Sequence, residues 1–173
     1  MSSRAAIWIL AVGLLSGCTG YDAVGRLPVG ARLADIERQM GFPALRWQEP
    51  GGGETLVYPF GSMGFHTFFV RGDADGRFIA RENVLTTTYF NRIGAGMTQE
   101  EVIRTIGPPV SAWTVYFKAR DELVWEWRYC DAWNEPARFN VLFDGTTLRV
   151  RSTMSATERI RAVFEPGTIR TWC

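Results

Sequence analysis

The sequence predicts an α+β fold of two tandem units, in each of which short helices pack on a three-stranded antiparallel β-sheet. Two stretches with helical spacing, near Gly30 and Gly96, are 66 residues apart, and each ends after about two turns. Each is followed by segments in which apolar residues alternate with polar ones, the period of a β-strand. Because helices this short are unstable alone in water, they must pack their apolar stripes on the sheets.

The chain begins with a predicted signal peptide. An apolar run, residues 5–15, follows Arg4. Its length is within the ~7 to 15 residues typical of a signal-peptide core and below the ~20 that span a bilayer. The stretch "LSGC", which ends at Cys18, resembles the lipobox of bacterial lipoprotein precursors. The resemblance implies removal of residues 1–17, acylation of Cys18 and a lipid tether over 18–25. An ordinary signal peptide with an incidental cysteine is the alternative.

Acylation of Cys18 implies stable attachment to a membrane. A lipoprotein cysteine carries three acyl chains, and each buried methylene contributes about 0.8 kcal/mol. Thr19, not an aspartate, follows the cysteine, which in Gram-negative lipoproteins favours sorting to the outer membrane. We therefore expect a protein anchored in outer-membrane lipid through Cys18, with its body facing the periplasm.

The composition excludes one class of partner. Removal of residues 1–17 from the 173 leaves 156, with 18 basic and 18 acidic side chains, because Arg4 is the only charged residue removed. A neutral chain lacks the basic surface that nucleic-acid binding requires, so we expect no nucleic-acid partner. The length is sufficient for a domain with a real hydrophobic core.

The second unit, predicted over 91–154, contains the best-defined helix. In "GMTQEEVIRTIGPP", residues 96–109, Thr98 is a natural N-cap and Glu101 completes a capping box. Met97 and Val102 occupy the positions of a hydrophobic staple. Gly107 supplies the left-handed end, and the prolines after it, the second of which is Pro109, prevent continuation. The spacing predicts a helix over 99–106.

The first unit, predicted over 26–90, is a more divergent copy. Shifting the sequence by 66 residues gives six identities in 22 positions, more than chance provides. They are Arg26 with Arg92, Gly30 with Gly96, Arg38 with Arg104, Gly41 with Gly107, Pro43 with Pro109 and Trp47 with Trp113. Arg32 replaces the capping threonine, so this helix start is less well specified. The matched tryptophans predict a repeated packing role, whereas Arg26 and Arg92 either anchor the turns before the first glycine pair or are solvated.

Strands follow each helix. From residue 123 to 130, large apolar side chains occupy every second position, namely Leu123, Trp125, Trp127 and Tyr129. This alternation is typical of a sheet face packed beneath helices, although a stacking platform for a sugar or peptide is an alternative. Residues 138–154 predict a hairpin that turns at Asp144 and Gly145, and residues 65–85 one that turns near Asp75 and Gly76.

The C-terminal segment, 155–173, is expected to pack on the second unit. Ser155 and Glu158 form a possible capping box for a short closing helix. In an oxidising compartment, a disulfide between Cys130 and Cys173 would fasten the C-terminus to a strand and close a loop of about forty residues. Two thiols, one of them buried, are the alternative.

The motif of residues 96–109, followed by an aromatic strand and an "FDG" hairpin, resembles the SmpA/OmlA (BamE-like) family of outer-membrane lipoproteins. The similarity covers about 92–154 well and 26–85 more faintly. It implies helices on a three-stranded antiparallel sheet and a protein partner, possibly of the β-barrel assembly machinery. The tandem arrangement is also similar to the β-lactamase inhibitor protein, which presents a concave sheet to a partner protein.

The residues indicate no enzyme, cofactor or metal site. His66 is the only histidine, which excludes a two-histidine metal site and leaves no second base for a nucleophilic cysteine. Asp73 and Asp75 suggest a calcium loop, but the glutamate that an EF-hand requires is replaced by Val84, so a hairpin turn is the better interpretation.

We therefore expect a non-enzymatic, lipid-anchored module that binds a protein through an exposed sheet face or edge. Its role would be accessory to outer-membrane β-barrel assembly or to envelope integrity. An inhibitor-like lipoprotein that occludes a periplasmic enzyme, and a structural lipoprotein without a fixed partner, are the alternatives.

Overall fold

The structure is a computed structural model that describes residues 24–60 and 64–158. It is an α+β fold with two four-stranded antiparallel sheets, which we call the first and second sheets. The elements of the first half are α1 (Leu33–Met40), β1 (Leu45–Gln48), β2 (Glu54–Pro59), β3 (Thr67–Gly72) and β4 (Phe78–Asn83).

The second half begins with a short helix and then has the same order of elements. It consists of α2 (Thr87–Phe90), α3 (Gln99–Ile106), β5 (Val115–Phe117), β6 (Glu122–Cys130), β7 (Pro136–Asp144) and β8 (Val150–Thr157). Single 3₁₀ turns, Ser111–Trp113 and Lys118–Arg120, flank β5. In both sheets the strands are adjacent in chain order.

The prediction of three strands per sheet was wrong. β1 pairs with β2, and β5 pairs with β6, so each sheet gains a fourth strand at its edge. These strands are only four and three residues long and largely exposed. A strand of three or four residues is too short for a clear alternation of apolar and polar side chains, so its pairing partner identifies it.

The predicted helix over 99–106 is confirmed, with its start at the capping box. The Thr98 hydroxyl accepts a hydrogen bond from the Glu101 amide at 3.2 Å, and the Glu101 carboxylate accepts one from the Thr98 amide at 2.7 Å. In α1, Arg32 occupies the N-cap position without a side-chain cap bond. The difference between the two helix starts was therefore visible in the sequence.

Replacement of Thr98 by alanine is expected to lower the free energy of unfolding by about 1 kcal/mol, because it removes the side-chain acceptor at the helix start. Arg32→Ala is the matched control, and it is expected to cost only a few tenths of a kcal/mol, since no cap bond is lost. Urea unfolding of the two variants measures both values. Equal losses would contradict a role for the capping box.

The turn before each helix is held in the same way in both halves. Gly30 and Gly96 have φ of +84° and +89°, a region that favours glycine. The Arg77 guanidinium donates to the Gly30 carbonyl at 3.1 Å, and that of Arg149 donates to the Gly96 carbonyl at 2.8 Å. Arg92, a possible anchor of the second turn according to the sequence, instead lies over the Tyr89 ring, 4.2 Å from its centroid.

Each sheet packs one face beneath helical residues. On the first sheet, Leu33 and Ile36 of α1 join a cluster with residues of β2, β3 and β4. On the second sheet, Val102 and Ile106 of α3 pack on the aromatic face of β6. Trp127 and Tyr129 are buried there, and Leu123 and Trp125 pack against the same cluster. The prediction that these alternating residues face the core is confirmed.

The other face of the first sheet is covered by the second half of the chain. Val57 and Phe69 are fully buried on this face, and Tyr89 and Trp47 pack against the cluster they form with Val84. The end of α3 contributes as well, because a Cβ on Gly107 would lie 2.7 Å from Thr67, on β3. Residues of the second half therefore contribute to the packing of the first sheet.

The hairpin turns are confirmed, but the predicted cap at Ser155 is wrong. Asp73 accepts bonds from the amides of Asp75 and Arg77, which closes the β3–β4 turn. Ser155 lies inside β8, opposite Phe139 of β7. Pairing with β7 continues to Thr157 and outweighs the local helix-start signal.

Candidate functional site

The second sheet has an open face on the side opposite the buried Trp127. Val115 on β5, Val124 on β6 and Leu142 on β7 lie directly opposite one another across the strands, so they form one row on this face. Phe117 and Met154 lie beside this row on the same face. We call these five residues the open strip.

The open strip is unusually accessible for large apolar side chains. Val115 is 45 % exposed, Phe117 40 % and Met154 52 %, and the other two members are half-buried. All five residues line an open depression of ≈ 390 Å³, whose wall also includes Trp113 and Arg138. Contiguous exposed apolar residues next to polar groups are typical of surfaces that bind another molecule.

Buried ion pairs border the strip on the same face. The Glu126 side chain of β6 pairs with the guanidinium of Arg138 on β7, and the two residues are 5 % and 9 % exposed. Arg138 also donates to Glu158 at 2.8 Å, and Arg128 donates to both oxygens of the same carboxylate at 2.7 Å. Charge-assisted bonds of this kind hold side chains in fixed positions.

Aromatic rings lie beneath both guanidinium groups. Arg138 lies 3.6 Å from the centroid of the Trp113 ring, and Arg128 lies 4.1 Å from that of the Phe65 ring. Arginine stacks on aromatic faces in addition to binding carboxylates in the ring plane. Phe65 precedes β3, so this contact also connects the second sheet to the first half of the chain.

Acid is expected to destabilise the fold through Glu158. Burial alone would raise the pKa of Glu158, but the hydrogen bonds and charges of Arg128 and Arg138 outweigh it and lower this pKa overall. A carboxyl whose folded-state pKa is below its unfolded value of about 4.3 stabilises the fold above that pH. The contribution is lost as pH falls through the folded-state pKa.

Urea unfolding at a series of pH values measures this effect. We expect Glu158→Gln to flatten the fall in unfolding free energy below pH ~4.3, since the titrating group is removed. Glu100→Gln is the control, because its exposed side chain pairs with Arg104 at the surface. An unchanged acid limb in Glu158→Gln would contradict this role.

The equivalent face of the first sheet differs in polarity. Its centre is apolar, with Val57 and Phe69 buried, and its polar groups lie to one side. There Arg71 donates to Glu49 at 3.1 Å and to Glu82 at 3.3 Å, and Tyr89 donates to Glu82 at 2.5 Å. The first sheet thus buries apolar residues where the second has ion pairs. Within the described residues, only the second sheet leaves a group of large apolar side chains exposed on this face.

The structure places the predicted site residues as follows. Cys18 and Cys173 lie outside the described residues, and Cys130 is half-buried at the end of β6, so acylation and the disulfide stay predictions. His66 stacks on Phe68 with the ring centroids 6.0 Å apart, and burial lowers its pKa. The repeat-motif residues lie at helix ends and turns, except Val102, which is buried within α3, and none belongs to the open strip.

Sequence reasoning missed the open strip and the ion pairs. Glu126 and Arg128 occupy positions between the core side chains of β6, and that alternation does not indicate that they form ion pairs. A signal was present, because Val124 on this outward face and Leu142 on β7 are apolar where a solvated face would be polar. Its meaning depended on β5, which the sequence pattern does not indicate.

Other site types have no support in the described part of the chain. Among residues 24–60 and 64–158, no group of three or more His, Cys, Asp or Glu side chains is arranged to hold a metal ion. No helix in these ranges has the length and hydropathy needed to cross a membrane. Comparison with known protein families and with curated proteins finds no match to this chain.

Proposed function

We propose that the chain is a lipid-anchored periplasmic module of the outer membrane that binds a protein through the open strip. Its role is accessory to β-barrel assembly or envelope integrity. The observation that carries the proposal is the exposure of Val115, Phe117 and Met154 on a sheet whose other face forms the core of the second half. Burial of such side chains by a partner contributes roughly 25 cal/mol per Å² of apolar surface.

The shape of the strip supports a protein partner over a small ligand. Small-molecule sites are concave and enclose most of the ligand. Here the open strip lines a depression that is open to solvent, and Val115, Phe117 and Met154 remain at least 40 % exposed within it. The neighbouring ion pairs of Arg138 would provide the polar rim that protein interfaces have around an apolar centre.

The proposal also includes a common origin of the two halves. Both have a helix of eight residues ended by a glycine in the same conformation, with φ and ψ of +85° and −179° at Gly41 and +78° and −175° at Gly107. The turns before the helices share the arginine contacts of Gly30 and Gly96. We infer two copies of one unit, related to the SmpA/OmlA family by the motif at 96–109, of which the second retains an open sheet face.

A photoreactive amino acid at position 115, introduced in the full chain in cells, tests the binding surface. We expect capture of one reproducible protein, identified by mass spectrometry. Ile79 on β4, which is 53 % exposed on the first sheet, is the matched control position. Barrel-assembly components at position 115 alone would support the assembly role, and a soluble hydrolase would support the inhibitor-like alternative. Equal capture at both positions, or none, would overturn binding through the open strip.

Metabolic labelling with palmitate tests the anchor separately. Wild-type chain is expected to incorporate label and to sediment with outer membranes, and Cys18→Ala is expected to do neither, because it removes the acylated thiol. Label retained in Cys18→Ala would contradict the lipobox assignment.

A further inference from the structure

The edge of β5 differs from the other sheet edges. The four edge strands of the described chain are β1, β4, β5 and β8. Three of them carry an exposed arginine, namely Arg46, Arg81 and Arg151. Charged side chains on an edge oppose pairing with another strand. β5 consists of Val115, Tyr116 and Phe117, all exposed and all uncharged.

Although it is short, β5 is held firmly against the second sheet. Its three residues pair with β6, and the Tyr116 hydroxyl donates to Asp121 at 2.6 Å. Asp121 also accepts bonds from the Gly145 amide at 2.8 Å, through its carbonyl, and from the Thr146 hydroxyl at 2.7 Å. The free edge is therefore preformed, which lowers the entropy cost of adding a strand.

We propose that the partner at this surface is a second copy of the chain, whose β5 pairs with the first β5 around a two-fold axis. This proposal rests on the proposed function and names the partner of the same surface. An antiparallel pair centred on Tyr116 sets Val115 of each copy opposite Phe117 of the other, so β-branched and aromatic residues meet across the strands. The two second sheets then form one continuous eight-stranded sheet.

The charges near β5 favour this antiparallel arrangement. Lys118 directly follows β5, and Thr114 directly precedes it. Antiparallel pairing sets Lys118 opposite Thr114 of the other copy and keeps the two ammonium groups at opposite ends of the strand pair. A parallel pair would bring the two ammonium groups together, which is unfavourable. Arg120, the next basic residue, is already paired with Glu122 at 2.8 Å.

The open strip supports the same arrangement. Val115 and Phe117 lie at the edge of the strip nearest the axis, and Val124 and Leu142 continue it inward on the open face. Two-fold pairing joins the strips of both copies side by side and covers the exposed flanks of β5. The interface is isologous, so it closes at two copies and does not propagate into a filament.

Disulfide trapping in cells tests the register. Two differently tagged full-length chains are co-expressed, one with Val115→Cys and the other with Phe117→Cys. Residues directly opposite in an antiparallel pair are close enough for a disulfide, whereas positions two residues out of register are not. We expect the mixed dimer to exceed the products of either variant alone by on the order of tenfold. Wild-type chain and Ile79→Cys are the controls for disulfides that involve the native cysteines Cys130 and Cys173.

Phe117→Asp, added to the chain that carries Val115→Cys, introduces a carboxylate into the interface. We expect it to abolish the disulfide with the Phe117→Cys chain and to leave the circular dichroism spectrum unchanged. Absence of the mixed dimer, or equal yields from matched and mismatched pairs, would overturn the second-copy proposal. If position 115 then still captures a different protein by photocrosslinking, binding through the open strip stands and only the identity of the partner is wrong.

Discussion

Replacement of Gly107 by alanine is expected to lower the free energy of unfolding by about 2–6 kcal/mol, because it strains the backbone and crowds a buried side chain of the first sheet. Two costs combine. The backbone at Gly107 has φ of +78° and ψ of −175°, a region that is nearly exclusive to glycine and costs other residues about 1–3 kcal/mol. The new Cβ would also lie 2.7 Å from Thr67, and overpacking of this kind costs about 1–3 kcal/mol.

Gly41→Ala separates the two costs. Gly41 ends α1 with nearly the same dihedral angles, but a Cβ there would meet no atom within 4 Å. It is expected to cost only the backbone term, about 1–3 kcal/mol. Denaturant unfolding of both variants measures the difference, which reports the contact between the end of α3 and the first sheet. Equal losses would show that this contact does not restrict position 107.

Gly107 also connects the two cores through its backbone. Trp127 donates its indole N–H to the Gly107 carbonyl at 3.3 Å, while the Cα of Gly107 faces Thr67, Val57 and Phe69 of the first sheet. A displacement of the end of α3 therefore disturbs both sheets. We therefore expect denaturant unfolding of the Gly107→Ala variant to show a single transition, in which both halves lose their structure together.

Replacement of Arg138 by methionine is expected to destabilise the protein by about 3–5 kcal/mol. The substitution keeps much of the side-chain volume but removes the charge that pairs with Glu126 and Glu158, and the loss of one partner from a buried ion pair is strongly unfavourable. It also removes the cation above the Trp113 ring. Thermal and urea unfolding give the loss directly.

Arg38→Met is the matched control for the loss of an arginine. Arg38 pairs with Asp35 on the surface of α1 and is 79 % exposed, so its removal is expected to cost less than about 1 kcal/mol. A second test combines Arg138→Met with Glu126→Gln, which removes the buried negative charge as well and is expected to recover part of the stability. A loss in Arg138→Met no greater than in Arg38→Met would contradict an energetic role for the ion pairs.

Local signals were sufficient wherever a structural element is defined by its own residues. Thr98 with Glu101 specifies the start of α3 and Gly107, nine residues after Thr98, specifies its end, because caps satisfy backbone groups within a few residues. The alternation around Trp127 likewise identified the buried face of β6. The bounds of α1 and α3 differ by 66 residues, the same shift that aligns the two copies in the sequence.

Where neighbouring segments compete, the local signal failed. Ser155 has the spacing of a helix cap, yet the hydrogen bonds that β7 offers keep it in a strand. β1 and β5 are too short to show a reliable periodic pattern, and they form at the pairing edges that β2 and β6 provide. The arginines that hold the helix-start turns, Arg77 and Arg149, are 47 and 53 residues from the carbonyls they bind.

The amino-acid sequence by itself determined the α+β class, the helix ends, the hairpin turns and the aromatic core face, since each depends on contacts between residues close along the chain. Only the tertiary structure decided that each sheet has four strands, that the first sheet is covered on both faces, and that the second leaves Val115 and Phe117 exposed beside the ion pairs of Arg138. Those features depend on which distant segments occupy the remaining faces and edges, and burial of a face is a property of the assembled fold.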